Sequence, residues 1–308
     1  MKPTIVIAAL AVVIIAPIAF VYLAPAKMLR LVVDFERRRS GLARKQVDLS
    51  DGRRYVYLEG GQGEPLMLLH GFGADKENFT RVARFLTQRY RVIVPDQLGF
   101  GESSHPQGAD YSPIAQAQRA RALAQALGIQ NLHLGGSSMG GQIALTYAAS
   151  YPTEVKSLWL LDPAGVWSAP ESELRKIIRE TGQNPLMART EDEFARTFAL
   201  AMNDPPFIPR PFLDVMAQAR MRNFALENLI FRQLAGDSVE ARVTGLAIPA
   251  LIVWGDRDRV LNPASAEVLH RLLPRSQVVI MPGVGHLPMV ERPRQTAEDY
   301  LRFRASLD

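Results

Sequence analysis

Gly136-Ser137-Ser138-Met139-Gly140-Gly141 governs how the rest of the chain is read. An apolar run, Leu132-His133-Leu134-Gly135, leads into it, and a helix-forming run, Gln142-Ile143-Ala144-Leu145-Thr146-Tyr147-Ala148, follows. A G-x-S-x-G between a strand and a helix makes a sharp, strained turn that lifts a serine hydroxyl above the edge of a sheet. Small residues beside it let strand and helix approach. The motif's register makes Ser138 the candidate nucleophile and leaves Ser137 as a turn residue.

A serine hydroxyl attacks only when a base takes its proton, and the base needs a carboxylate to orient it and stabilise its cation. On this kind of turn the partners follow in the order acid, then histidine. Pro249-Ala250-Leu251-Ile252-Val253-Trp254-Gly255-Asp256-Arg257-Asp258 is an apolar strand running into a loop with two aspartates. Val278-Val279-Ile280-Met281-Pro282-Gly283-Val284-Gly285-His286 is another, ending in a single histidine. Upstream, Leu66-Met67-Leu68-Leu69-His70-Gly71-Phe72-Gly73 is a strand entering a glycine turn. The amides of Phe72 and Met139 are the expected pair of donors to an oxyanion.

Strand-like runs recur at 55–58, 66–69, 92–94, 132–134, 158–161, 251–253 and 278–280, with helical runs between them. That alternation predicts an α/β fold with a mostly parallel sheet covered by helices on both faces. It breaks over residues 165–241, which read as helices alone and predict a helical cap between two core segments, 46–164 and 242–308. The cap carries Phe194, Phe198, Phe207, Phe212, Phe224 and Phe231, joined by Met187, Met202, Met216 and Met221. Flat rings and flexible thioethers suit the wall of an apolar tunnel as well as plain packing.

Five segments carry a family resemblance: His70-Gly71-Phe72-Gly73, Asp96-Gln97-Leu98-Gly99-Phe100-Gly101, Gly136 to Gly141, Trp254-Gly255-Asp256-Arg257-Asp258, and Gly285-His286 through Glu291-Arg292-Pro293. In these the chain resembles the serine α/β-hydrolases over roughly residues 46–308, and most resembles membrane-anchored bacterial lipases and phospholipases A. The resemblance implies an α/β-hydrolase fold with a triad of Ser138, Asp258 and His286, and an oxyanion hole of Phe72 and Met139. It selects Asp258 over Asp256, which is left to cap its loop. Asp162, ending the 158–161 strand, is where some hydrolases of this fold carry their acid. The implied activity is hydrolysis of fatty-acyl esters of lipids through an acyl-enzyme, of phospholipase A, lysophospholipase or lipase type. A carboxylesterase or thioesterase for soluble substrates is the alternative on the same triad, and a non-catalytic membrane module the remote one.

Residues 3–26 contain no charged side chain. A helix of that length spans the roughly 30 Å hydrocarbon core, so 1–26 is expected to be a transmembrane anchor, with Tyr22 at the interface. Lys2 and Ala24-Pro25-Ala26 offer the rival reading of a cleaved signal peptide, against which the apolar run is long. Residues 27–45 hold seven basic side chains against Asp34 and Glu36, and read as a juxtamembrane amphipathic helix on anionic lipid. The basic residues after the span favour a cytoplasmic domain. The resemblance favours the periplasmic face of a bacterial inner membrane, in a single-pass arrangement, and that is the expectation taken.

The net charge of +5 and pI of 9.6 call for an anionic neighbour. The basic cluster adjoins the apolar segment, which makes lipid the partner and nucleic acid none. With no cysteine, disulfides and thiol chemistry are excluded. No His, Asp or Glu cluster has metal-ligand spacing and no glycine loop suits a phosphate cofactor, so neither a metal nor a cofactor is expected. His70 reads as a structural hydrogen-bonder, and His105, His133 and His270 carry no motif. The apolar segment has alanines and no G-x-x-x-G, which leaves a homodimer open.

Overall fold

The structure, a computed structural model, describes residues 19–307. Its centre is an eight-stranded sheet built from β1 (Leu42–Asp48), β2 (Arg54–Gly60), β3 (Glu64–Leu69), β4 (Tyr90–Pro95), β5 (Leu132–Ser137), β6 (Val155–Leu161), β7 (Ala250–Gly255) and β8 (Ser276–Met281). The spatial order is β1-β2-β4-β3-β5-β6-β7-β8. β1, β2 and β4 pair antiparallel, and every pairing from β4 through β3 to β8 is parallel.

The central strands are apolar throughout because both faces are covered. Successive strand residues point to opposite sides, and the packing follows that alternation. Met67, Leu69, Leu158, Leu160 and Ile252 join one core with the helices Pro113–Ala126, Met139–Ser150 and Ser265–Leu272. Leu66, Leu68, Trp159, Leu161, Leu251 and Val253 join a second core with Phe79, Val82, Tyr300 and Phe303 on the other face.

β4 lies on one side of β3 and β5 on the other. At such a switch point the loops leaving the two neighbouring strands diverge and open a crevice at their carboxyl ends. The loop after β3 and the turn after β5 are the two that carry Phe72 and Ser138.

Between β6 and β7 the chain forms the helices Glu173–Thr181, Glu191–Ala201, Arg210–Arg222, Phe224–Ala235 and Glu240–Val243, without a strand. Helices Arg210–Arg222 and Phe224–Ala235 follow one another directly, broken at Asn223, whose amide donates to Ala219 O and Arg220 O and closes the first helix.

The stretch 27–45 needs a correction. A helix covers Pro25–Arg39, and the chain then turns and enters β1 at Leu42, so residues 42–45 are strand. Gly41 turns the corner with φ of 68°, and seven registered pairs tie β1 to β2. The helix Pro25–Arg39 buries no residue fully; Leu31 and Phe35 are exposed, while Arg37 pairs with Asp34 and with Glu77 of the core. Most of the expected 1–26 anchor lies outside the described residues. Among the described residues no helix is long and apolar enough to cross a membrane.

Candidate active site

Ser138 sits between β5 and the helix Met139–Ser150 with φ of 52°. A non-glycine residue held there stores about 1–3 kcal/mol of strain, tolerable only where the surroundings enforce it. They do so on both sides. The Ser138 amide donates to Leu161 O at 3.0 Å, and its carbonyl accepts from Ala164 N and Gln142 N, each at 3.0 Å. A Cβ on Gly136 would lie 2.2 Å from Gly140 O, and one on Gly140 2.0 Å from Leu69 O. The glycines are therefore fixed by close backbone approach.

His286 and Asp258, from the loops after β8 and β7, are joined by a 2.8 Å bond between Nδ1 and Oδ2. Asp258 is buried and well supplied with donors. Oδ2 also accepts from Trp254 Nε1 at 3.1 Å, and Oδ1 from the amides of Val260 and Leu261 at 2.8 and 3.0 Å. Asp256 instead accepts from Gly283 N at 2.7 Å and caps the neighbouring loop. His286 is held from the cap as well, its amide donating to Ala201 O at 2.8 Å. Glu291 completes that seam: its carboxylate accepts from Gly285 N, Asn203 N and Asp204 N at 2.9, 3.0 and 2.7 Å. One carboxylate thus stitches the histidine loop to the cap, a role the sequence motif alone does not reveal.

The turn after β3 is braced from below and above. His70 is fully buried; its Nε2 accepts from Gln97 N at 3.0 Å, and Gln97 Nε2 donates to His70 O. Burial lowers the His70 pKa, so its neutral ring serves as a fixed acceptor. From the cap, Arg220 donates to Gly73 O at 2.7 Å, to Leu186 O at 2.8 Å and to Glu227 at 2.7 Å. Its guanidinium occupies the space a Cβ on Gly73 would need, and lies 5.5 Å from the centre of the Phe72 ring. Among the described residues neither the Phe72 nor the Met139 amide has an acceptor. Met139 opens its helix, where an amide is left free and the dipole is positive.

Two cavities meet at Ser138. One, of about 250 Å³, also has His286, Phe194, Phe198 and Met216 on its wall. The other, of about 520 Å³, runs past Trp167, Leu174, Ile178 and Phe231. Phe72, Ser138, Leu186 and Val260 belong to both. Of the aromatic residues singled out in the cap, Phe194, Phe198 and Phe231 line these spaces; Phe212 is buried in the packing and Phe207 is 90% exposed.

The remaining histidines are engaged elsewhere. His133 meets Glu64 and Ser157, His270 meets Ser276, and His105 faces Asn223. One group among the described residues has the proximity to share an ion: Asp162, Asp258 and His286. The His286 nitrogen and the Asp258 oxygens are already bonded to protein partners, and we assign no metal there.

A family model for the α/β-hydrolase fold matches residues 64–293. The chain belongs to this family. Two curated relatives are similar over nearly their full length. Lipase 1 of Psychrobacter immobilis is 45% identical over 90% of this chain and 89% of its own. Lipase 3 of Moraxella sp. (strain TA144) is 46% identical over the same shares. Among solved structures, a bacterial membrane phospholipase A described as a virulence factor superposes with a TM-score of 0.89 at 41% identity. That match covers 100% of this chain and 99% of the other.

Proposed function

We propose that this ester hydrolase cleaves fatty-acyl esters of membrane lipids, with Ser138 as nucleophile, His286 as base and Asp258 as the acid that orients it. The observation that carries the reading is the meeting of two apolar cavities at a strained serine beside a histidine–aspartate pair. A lipid ester has two bulky parts flanking one carbonyl, and a forked apolar site suits both. The names of the similar lipases and of the phospholipase A agree with it.

In the reaction His286 Nε2 takes the Ser138 proton as Oγ adds to the ester carbonyl. Nδ1 keeps its proton and its bond to Asp258, which fixes the tautomer and stabilises the imidazolium. The free amides of Phe72 and Met139 receive the oxyanion, each such donor being worth roughly 3–4 kcal/mol in other hydrolases. Collapse releases the alcohol with the proton from His286. Water, deprotonated by His286, then cleaves the acyl-enzyme and returns the serine.

We further propose that residues 1–26 anchor the chain in a bacterial inner membrane in a single pass, with the catalytic domain on the periplasmic side. The uncharged stretch 3–26 and the exposed Leu31 and Phe35 of the helix that follows support this. The test is release of free fatty acid from phospholipid vesicles by the full chain, with Ser138→Ala beside it. Release that the variant abolishes supports the reading. Cleavage confined to short soluble esters would replace it with a soluble-substrate esterase.

A further inference from the structure

Asp162 stands at the end of β6, in the triad's shell, and the mechanism above gives it no task. It is fully buried and adopts φ of 44°. Oδ1 accepts from Gly255 N at 2.9 Å, while Oδ2 receives no N–H donor and has the Asp258 carboxyl beside it. The charged groups facing it are Asp258 and Glu291, both carboxylates. One of its oxygens, one oxygen of Asp258 and one ring nitrogen of His286 all lie within 4.8 Å of one another. The two aspartates are supplied unequally. Asp258 has four N–H donors and Asp162 one. Two adjoining buried carboxylates do not both ionise readily, and Asp162, with a single donor, is the one placed to keep its proton. Burial, reinforced by the neighbouring negative charge, pushes the Asp162 pKa up accordingly.

We propose that Asp162 is a latent second acid of this site, silent while Asp258 occupies the histidine and able to pair with His286 when Asp258 is lost. The inference rests on the Ser138–His286 reading. Removing the Asp258 side chain takes away the main like charge that keeps Asp162 neutral. It also leaves Asp162 as the carboxylate nearest the imidazole, within reach after a shift of the ring into the emptied space. Asp162 then ionises and accepts from His286, and its proton goes to solvent. In the intact enzyme it acts as a positioning residue, a neutral wall behind Asp258.

The test is a cycle of Asp258→Ala, Asp162→Asn and the double variant, assayed on a p-nitrophenyl ester from pH 6 to 9. The amide oxygen that Asp162→Asn introduces can keep the bond from Gly255 N. Loss of a triad acid with no substitute costs about 10⁴-fold in kcat. Asp258→Ala is expected to lose only about 10- to 100-fold, and the double variant a further 100-fold or more. Protonation of His286 gives every variant an acid limb, and the position of that limb should shift between Asp258→Ala and the double variant, a shift that a purely structural role of Asp162 would not produce. A double variant within twofold of Asp258→Ala overturns the proposal. Should the double variant fail to fold, proton NMR of Asp258→Ala decides alone: a low-field His286 Nδ1–H resonance supports a substitute acid, and its loss refutes one. Ser138→Ala is run throughout; activity surviving in it would sink the serine reading itself and not merely the role of Asp162.

Discussion

Replacing Arg220 by Met tests whether the cap is latched onto the catalytic turn by one buried arginine, which bonds Gly73 O and is held in place by Glu227 of the cap. The side chain joins Glu227, Gly73 O and Leu186 O, and both partners of the Arg220–Glu227 pair are shielded, at 11% and 3% side-chain exposure. Methionine fills most of the volume and removes every donor. Glu227 is then a buried carboxylate without a cation, a situation that costs about 3–5 kcal/mol. Native domains have only about 5–15 kcal/mol to lose. Burial already raises the Glu227 pKa, against the opposing pull of Arg220. Without Arg220 it rises further, above the unfolded value. The native state then holds a proton the unfolded chain releases, so stability falls as pH climbs through the raised pKa and is recovered below the unfolded value. Urea denaturation of the full chain at pH 8 should give the full loss, and at pH 5 a smaller one. Adding Glu227→Leu should restore all but about 1–2 kcal/mol, because the orphaned charge goes with it. Catalysis should not recover in that double variant, since Gly73 O still lacks its donor and the Phe72 amide stays unbraced; kcat should fall more than KM rises. An Arg220→Met loss below about 1 kcal/mol, or a Glu227→Leu that adds to it, would refute the latch.

Ser138→Gly should abolish hydrolysis while raising stability by about 1 kcal/mol, because glycine relieves the φ of 52° at some entropic expense; a lower melting temperature would contradict the strain. Asp75 lines the smaller cavity and caps the turn Lys76–Phe79 by accepting from Glu77 N. Burial, with Asp96 and Glu77 adding, pushes its pKa up to about 7. Stability should therefore decline as pH rises from about 4 to 7, and Asp75→Asn should be the more stable protein at pH 8 by about 1–2 kcal/mol, with the gap closing by pH 4; a gap independent of pH would count against it. Deleting residues 1–24 should cut hydrolysis of vesicle lipid far more than hydrolysis of a soluble short-chain ester, and equal losses on both substrates would tell against anchoring.

Local signals carried much of the fold. The elbow, the apolar runs of β3, β5, β6 and β7, and the strand-free cap are each written in contiguous residues. β1 was hidden because Leu-Ala-Arg-Lys-Gln-Val-Asp buries only Leu42 fully and has no apolar alternation; pairing with β2 makes it a strand. The break at Asn223 was masked by helix-forming residues on both sides. In the candidate site, the residues that would react stand in motifs, whereas those that hold them do not. Arg220 reaches Gly73 across 147 positions, and Glu291 reaches Asn203 across 88. Asp162 could be named from its place at a strand end, yet the missing N–H donor at its Oδ2 and its nearness to Asp258 exist only in the folded chain.

The most direct measurement treats the full chain with a long-chain alkyl p-nitrophenyl phosphonate and follows nitrophenol release, protein mass and phospholipid hydrolysis together. Attack at phosphorus would release one equivalent of nitrophenolate and leave a stable adduct on the serine oxygen. One label per chain is expected, on the peptide containing Ser138, with hydrolysis of vesicle phospholipid lost in proportion to labelling and no label on His286→Ala. A label on another residue, or phospholipid hydrolysis that persists once Ser138 is fully labelled, would contradict the assignment of lipid hydrolysis to this serine.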